Sequence, residues 1–366
     1  MNANASRPPT LRDVARHAGV SMGTVSNVLN HPAKVSEQTI ARVRDAIDTL
    51  GFVRDANASS LAAGGSRSIG LVVINLGNSM FVDVARGAQT AAHTAGLNLL
   101  LAGSEDSFAV QGANVDSFNE ARVQGLLLAP LQDSSSQTRR MTQRGRPVVI
   151  VNYDASSDPV CCVVVDNEQV GYLAAKHLLD SGCERIAFLG GEDEKFQPVR
   201  LRRRGVRRAM AEAGRPVAFE EIAVDELTDA AGARAADAVA ARSPGMRPDG
   251  VVAVTDTVAV GFIERALDLG IDVPGQIAVM GCDRNTSAPD CRVPLSSVAM
   301  QGYEMGTAAM RLLLDEIAHT PNHVHQRVVL APSLVVRAST AGFRGGAADS
   351  HGTASEDDSS EVVNAG

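Results

Sequence analysis

Residues 21–30 of this 366-residue chain read SMGTVSNVLN, placing Ser21, Thr24, Ser26, Asn27 and Asn30 within ten positions that carry no charge. Short hydroxyl and amide side chains exchange hydrogen bonds and do not shuttle protons near neutral pH. The turn signal Ala18-Gly19-Val20 precedes them, so they fall on a helix entered through a glycine turn. More reactive patterns are missing. There is no GxxxxGK loop followed by Ser or Thr for nucleotide phosphates, no HExxH pair for zinc, and no GxSxG nucleophile elbow. His319, His323 and His325, in HTPNHVH, superficially suggest a metal; taken to lack acidic and cysteine partners, they read as a solvated loop before a strand. No metal, no cofactor and no catalytic residue is therefore expected.

The length is too great for one ordinary core and implies two or more domains. Hydrophobic residues at 45% and charged residues at 21% fit a globular chain. No run of 18 apolar residues exists, and the opening MNANASRPPT has no apolar signal segment, so a cytoplasmic protein is expected. Five cysteines without CxxC spacing fit a reducing compartment, and Cys161-Cys162 reads as core. The net charge of −8 is unevenly spread: residues 1–67 carry +3, leaving −11 for the remainder. A basic head on an acidic body is the asymmetry expected if only the head meets phosphate.

The elements that must position these groups can be read from periodicity. Residues 10–50 predict three short helices. Thr10 and Asp13 form a capping box ahead of Leu11, Val14, Ala15 and Ala18; Ser21 caps a second helix with Val25, Val28 and Leu29 inward; Ser36 caps a third that stops at Gly51. From about residue 69 strand-like runs alternate with helix-length segments: IGLVVI (69–74), LNLLLA (97–102), GLLLA (125–129), PVVIV (147–151), RIAFLG (185–190), DGVVAV (249–254) and QIAVMG (276–281). Helices are expected at 82–95, 168–181, 229–242, 257–269 and 302–318. Such alternation predicts an α/β core of two doubly wound parallel-sheet lobes behind an all-α head. The Gly-, Ser- and acid-rich tail, 341–366, reads as disordered.

The head carries the pattern DVA-x-x-AGVS-x-x-TVS-x-VLN, then VS, then LGF, without gaps. Over some 60 residues it closely resembles the LacI/GalR family of bacterial transcription regulators, and the likeness continues in register to Arg337-Ala338-Ser339-Thr340. The resemblance implies a helix-turn-helix domain at 10–53, a hinge helix and linker at 54–68, and a periplasmic-binding-protein-like body at 69–340. The N-lobe is expected at 69–165 and 297–325, the C-lobe at 166–296 and 326–340. It further implies that the second helix enters the major groove, where short polar groups read base edges while phosphate contacts supply affinity. Met22, Gly23 and Asn27 match the base-reading positions. Thr24 and Ser26 match packing or phosphate positions, and Thr10, Ser21, Asn30 and Ser36 complete the DNA-facing set. In the hinge, Asn57 and the wedge residue Leu61 would meet the minor groove. Departures there are Arg54-Asp55 in place of Pro-Asn and Ser59 in place of Arg.

In the body the resemblance assigns Arg202 and Asp283 as the clamp on effector hydroxyls, with Ser79, Phe81, Asn152 and Thr255 at cleft positions. Cys282 stands where an aromatic is usual, and Thr255 stands where Asn is common. The resemblance thus implies a non-enzymatic repressor of carbohydrate uptake or catabolic genes. It would bind a pseudo-palindromic DNA operator as a homodimer and answer to a small-molecule effector, a carbohydrate, in the interlobe cleft. The alternative within the family is an activator or global regulator tuned by a non-sugar ligand or a protein corepressor. A solute-binding transport protein and a doubly wound enzyme are the rivals from other classes; the head argues against the first, the missing motifs against the second.

Overall fold

A computed structural model describes residues 7–53, 66–190, 196–284, 291–319 and 322–343. The expected hinge residues Asn57 and Leu61, and the tail from 344 onward, lie outside the described residues.

The head is three helices, α1 (Leu11–Ala18), α2 (Met22–Asn30) and α3 (Glu37–Leu50). The capping box forms as expected: the Thr10 backbone N–H and hydroxyl both donate to Asp13 Oδ2, at 2.9 and 2.6 Å. These bonds, the hydroxyl's first, hold the Asp13 carboxyl below the ordinary carboxylate range. Gly19 and Gly51 close α1 and α3 in the left-handed conformation, φ 64° and 62°, which a Cβ would disfavour. Ser21 accepts from the Thr24 N–H at 3.1 Å, the second expected cap. Ser36 differs: its hydroxyl pairs with that of Thr39 at 2.9 Å and caps no backbone N–H. Val14, Val25, Val28, Val43 and Ala46 make the small buried core, with Leu11, Ile40 and Ile47 packed around it.

The body holds two six-stranded sheets. β1 (Ser68–Val73), β2 (Asn98–Gly103), β3 (Leu126–Leu128), β4 (Val148–Val151), β5 (Cys161–Val165) and β11 (Arg327–Leu330) form the N-lobe sheet, in the order β11-β5-β4-β3-β1-β2, all parallel. β6 (Arg185–Gly190), β7 (Ala218–Ala223), β8 (Gly250–Ala253), β9 (Ala278–Asp283), β10 (Ser296–Ala299) and β12 (Ser333–Val335) form the C-lobe sheet in the order β12-β10-β9-β8-β6-β7. Among these strands only β12 runs antiparallel, against β10. Helices cover both faces, so the inner strands are buried throughout, as in doubly wound proteins. One apolar cluster runs from Leu71 and Val149 in the N-lobe through Leu178 to Phe188 and Met280 in the C-lobe. Among the described residues, no helix is long and apolar enough to cross a membrane.

Among the described residues the chain crosses between lobes three times, after β5, after β10 and after β11. Two crossings depart from the expected boundaries. Residues 297–299 were expected in the N-lobe, yet β10 pairs with β9 and lies in the C-lobe sheet. Residues 327–330 were expected in the C-lobe, yet β11 pairs with β5 in the N-lobe. The cause of the second is Pro332, which offers no N–H to a ladder and separates β11 from β12 inside an otherwise continuous apolar run.

Three helix pairs meet backbone to backbone through glycines. α4 (Ser79–Thr94) meets α11 (Gly302–His319) at Gly87 and Gly306. α7 (Asn167–Asp180) meets α8 (Gln197–Ala211) at Gly171 and Gly205, and α9 (Asp229–Ala240) meets α10 (Asp256–Asp268) at Gly232 and Gly261. A Cβ on Gly205 would overlap the Glu168 carbonyl oxygen, and one on Gly171 that of Arg202. The α7–α8 crossing therefore fixes how far Arg202 sits from the start of α7. Gly205→Ala must push these helices apart, and an overpacked core position of this kind costs about 1–3 kcal/mol. Urea unfolding of the full chain should show that loss, whereas exposed Gly245, with no atom within 4 Å of its added Cβ, should tolerate alanine.

Candidate functional site

Two sites emerge, one on each part of the chain. On α2, Thr24 and Ser26 are half-buried and spend their hydroxyls within the helix. Thr24 Oγ1 pairs with Ser21 Oγ at 2.9 Å, and Ser26 Oγ accepts from Asn30 Nδ2 at 3.2 Å. Met22 is 47% exposed, and Gly23 and Asn27 are exposed too. Gly23 and Asn27 lie one turn apart and share a face. A Cβ at Gly23 would meet only Ser21 Oγ, at 3.7 Å, so packing does not require glycine there. Glycine inside a helix still costs about 1 kcal/mol against alanine, so its presence needs a reason outside the head's own fold.

The second site is the cleft between the lobes, a cavity of about 210 Å³. Apart from Arg202, in the second turn of α8, its polar groups sit at the carboxyl ends of strands or the starts of helices, where doubly wound sheets hold ligands. Phe81 comes from the first turn of α4, and Asn152 follows β4 with φ 55°. Thr255 caps α10, accepting from the Val258 N–H at 3.3 Å, and Asp283 ends β9. These four and Arg202 all border the cavity. Ser79 does not: it is buried at the start of α4, and its hydroxyl has no hydrogen-bond partner among the described residues.

Arg202 and Asp283 are both buried, with side chains 4% and 1% exposed, and Nη1 stands 3.2 Å from Oδ1. Isolated charges cannot persist at that depth, so each atom of the pair is claimed. Arg202 Nε donates to Asn167 Oδ1 at 3.0 Å, Nη1 to the Val254 carbonyl, and Nη2 to Met300 Sδ at 2.7 Å. Asn167 in turn donates to Asn152 Oδ1 at 3.2 Å. Asp283 Oδ2 accepts from Asn78 Nδ2 at 3.0 Å, a bond from one lobe to the other. Burial pushes the Asp283 carboxyl above the ordinary range, while Arg202 and Asn78 draw it back.

Sequence reasoning missed Asn78, Asn167 and Phe196. Asn78 had a local signal, since an Asn ahead of a helical run is a cap, and its Oδ1 accepts from the Met80 N–H at 2.9 Å. Phe196 lines the cavity along with Phe81. Cys282 has no part in the lining: it points into the core, where burial raises its thiol to about 12. The reading of the three histidines is also corrected. Cys161 Sγ lies 3.1 Å from His323 Nε2, and Asp315 and Glu316 face the same histidines.

Known proteins share both parts of this architecture. Residues 10–55 match the family described as bacterial regulatory proteins, lacI family, and residues 175–340 match the periplasmic binding protein-like domain. The HTH-type transcriptional repressor PurR of Photobacterium profundum is 32% identical over 332 residues, covering 90% of this chain and 98% of the relative. The structure of a transcriptional regulator CelR–cellobiose complex is 27% identical, covers 90% of this chain and 99% of its own, and has a TM-score of 0.64. The lac repressor dimer bound to operator and the anti-inducer ONPF shares the fold at 23% identity, with a TM-score of 0.75 over 91% of this chain and 99% of its own.

The buried pair can be tested without any ligand. Asp283→Ala leaves the Arg202 guanidinium buried without a carboxylate, and breaking such a pair from one side costs about 3–5 kcal/mol. Arg202→Met combined with Asp283→Leu should recover most of that loss, because both charges then leave together. Urea midpoints of the three proteins decide it, and a single variant as stable as the parent would show that the pair holds nothing.

Proposed function

The chain belongs to the lacI family of bacterial regulatory proteins, and from that premise we propose a repressor that grips a pseudo-palindromic operator as a homodimer and is switched by a small polar ligand between its lobes. That it is a DNA-binding transcriptional regulator and not an enzyme follows from the family. The finer reading is ours: the operator's form, the dimer, the effector's chemistry, and a place of work in the cytoplasm at the nucleoid.

One observation carries the DNA face. Of the small polar residues on α2, those that could satisfy one another do so, leaving Met22, Gly23 and Asn27 outward. An Asn amide suits the N6 and N7 edge of adenine, and a methionine packs on a thymine methyl. Glycine at position 23 lets the helix backbone approach the duplex more closely than any side chain would allow. Thr10, Ser21 and Ser36 stand at helix N-termini, where backbone N–H groups meet phosphates. A head this small reads only a few base pairs, so two copies on one body supply the remaining specificity.

For the effector we take a hydroxyl-bearing molecule, a carbohydrate first. The Arg202 fork and the Asp283 carboxylate offer donors and acceptors side by side, and Phe81 and Phe196 offer ring faces. A regulator bound to cellobiose among the similar structures supports the same choice. A ligand here would compete with Asn78 for Asp283, and so with the bond that joins the lobes. It shifts the protein only through unequal affinity for the two lobe arrangements.

Asn27→Ala should lose about 1–3 kcal/mol at one position of each half-site and relax selectivity there. Selection of binding sites from random duplexes, run on the parent and the variant at fixed salt, measures both. An unchanged selected sequence removes Asn27 from the reading face. Repeating the gel shift with a panel of sugars separates a ligand that releases DNA from one that secures it, and a reporter with the selected site distinguishes repression from activation.

A further inference from the structure

Outside both sites, four side chains from three separate segments converge at one edge of the N-lobe. Cys161 opens β5, Glu316 lies in the last turn of α11, and His323 and His325 sit in the loop entering β11. His323 Nε2 is 3.1 Å from Cys161 Sγ, and His325 Nδ1 is 4.0 Å from the same sulfur. Glu316 Oε2 stands 3.9 Å from His323 Nε2 and 4.0 Å from His325 Nδ1, and all four ligand atoms lie within 4.8 Å of one another. A tetrahedral zinc site, with bonds of about 2.0–2.3 Å, has ligand–ligand edges of about 3.3–3.6 Å. Small side-chain shifts, well under a bond length, would let the four atoms enclose one ion.

The surroundings match such a site as well. His323, 3% exposed, turns its other nitrogen, Nδ1, to Asp315 Oδ2 at 2.7 Å. That bond fixes the tautomer, placing the Nε2 lone pair toward the sulfur, as the outer carboxylate does for metal-binding histidines. The Gln326 backbone N–H donates to Cys161 Sγ at 3.3 Å, the kind of bond that steadies a thiolate. Cys161 is fully buried, which rules it out as a nucleophile or oxidation sensor open to solvent.

The geometry points to a closed site for one zinc-class divalent ion held by Cys161, Glu316, His323 and His325. One thiolate, two imidazoles and one carboxylate suit zinc, whereas magnesium and calcium require oxygen ligands. With all four positions taken from the protein, the ion is structural and not catalytic. Its place gives it a role. β5 and β11 both start at the cluster, and both end at crossings into the C-lobe. The ion would clamp the origin of two of the three connections on which the lobes move.

The test uses the untagged full chain, stripped with a chelator and exchanged into metal-free buffer. Cobalt(II) should bind at one ion per chain and give a thiolate-to-cobalt charge-transfer band with the strong visible bands of tetrahedral cobalt. Zinc(II) should displace it and raise the thermal midpoint. Cys161→Ser should remove the charge-transfer band. Asp315→Asn, which alters no ligand, should weaken zinc binding about 10–100-fold. Because a buried-cysteine variant can fail to fold, His325→Ala at the more exposed position provides a second measure and should also weaken binding. The inference is overturned by any of three results: no saturable binding at one ion per chain, an octahedral cobalt spectrum without charge transfer, or zinc affinity unchanged in both His325→Ala and Asp315→Asn.

Discussion

A guanidinium and a carboxylate buried together dictate much of how the body is built. Arg202 cannot be left at that depth without partners, and its partners come from scattered places: Asn167 at the start of α7, the Val254 carbonyl after β8, Met300 after β10, and Asp283 at the end of β9. To bring these within bonding distance, the α7 and α8 backbones must nearly touch, which Gly171 and Gly205 permit. The same pair reaches across the cleft through Asn78, so the electrostatic centre of the C-lobe is also the latch on the N-lobe. Burial of charge serves poorly as a source of stability, because desolvation consumes most of the attraction. Its geometric demands are strict all the same, since Arg202 and Asp283 are satisfied here by groups from both lobes.

The sequence made the head legible and the body only partly so. In the head, periodicity and caps were enough: the capping box, the Gly19 turn and the outward Asn27 all lie within one short segment whose partners are local. Arg202 and Asp283 were reached through the resemblance, and they do meet. Asn78 and Asn167 were not reached, because an amide says nothing in sequence about which charge it will satisfy 35 or 205 residues away. Strand β10 escaped for a related reason. Its Ser296 and Ser297 break the apolar run by which the other strands were found, yet both are buried, Ser296 pairing with Thr340 at 2.7 Å and Ser297 with Asp256 at 2.6 Å. Ser339 likewise ties the last described turn to the sheet, its hydroxyl donating to the Val279 carbonyl at 2.6 Å. The histidines were misread because a cysteine more than 150 residues earlier completes their surroundings.

Charge is divided to match the division of work. The head's excess of +3 gives attraction to phosphate without sequence preference, while the face of α2 that carries Gly23 and Asn27 has no charge at all. An acidic body keeps the rest of the molecule from competing for the duplex, since it repels what the head attracts. The polar groups of α2 illustrate the economy required. Thr24 and Ser26 spend their hydroxyls inside the head, whereas the exposed Asn27 side chain has no hydrogen-bond partner among the described residues.

Direction along the parallel strands decides how the two ends of the N-lobe communicate. Because β1, β3, β4, β5 and β11 are parallel, their amino ends share one edge and their carboxyl ends share the other. The cleft lies at the carboxyl ends. The Cys161 cluster lies at the amino ends, on the edge where β1 receives the chain arriving from the head. These strands are three to six residues long, about 10–20 Å at about 3.3 Å per residue, and over so short a length they transmit rotation in preference to absorbing it. A change of lobe angle at the crossings must therefore appear at the opposite edge as a displacement of strand origins. At that edge Glu316 of α11 stands 3.9 Å from His323, in the loop that leads into β11, so one helix and two strands of the N-lobe meet there.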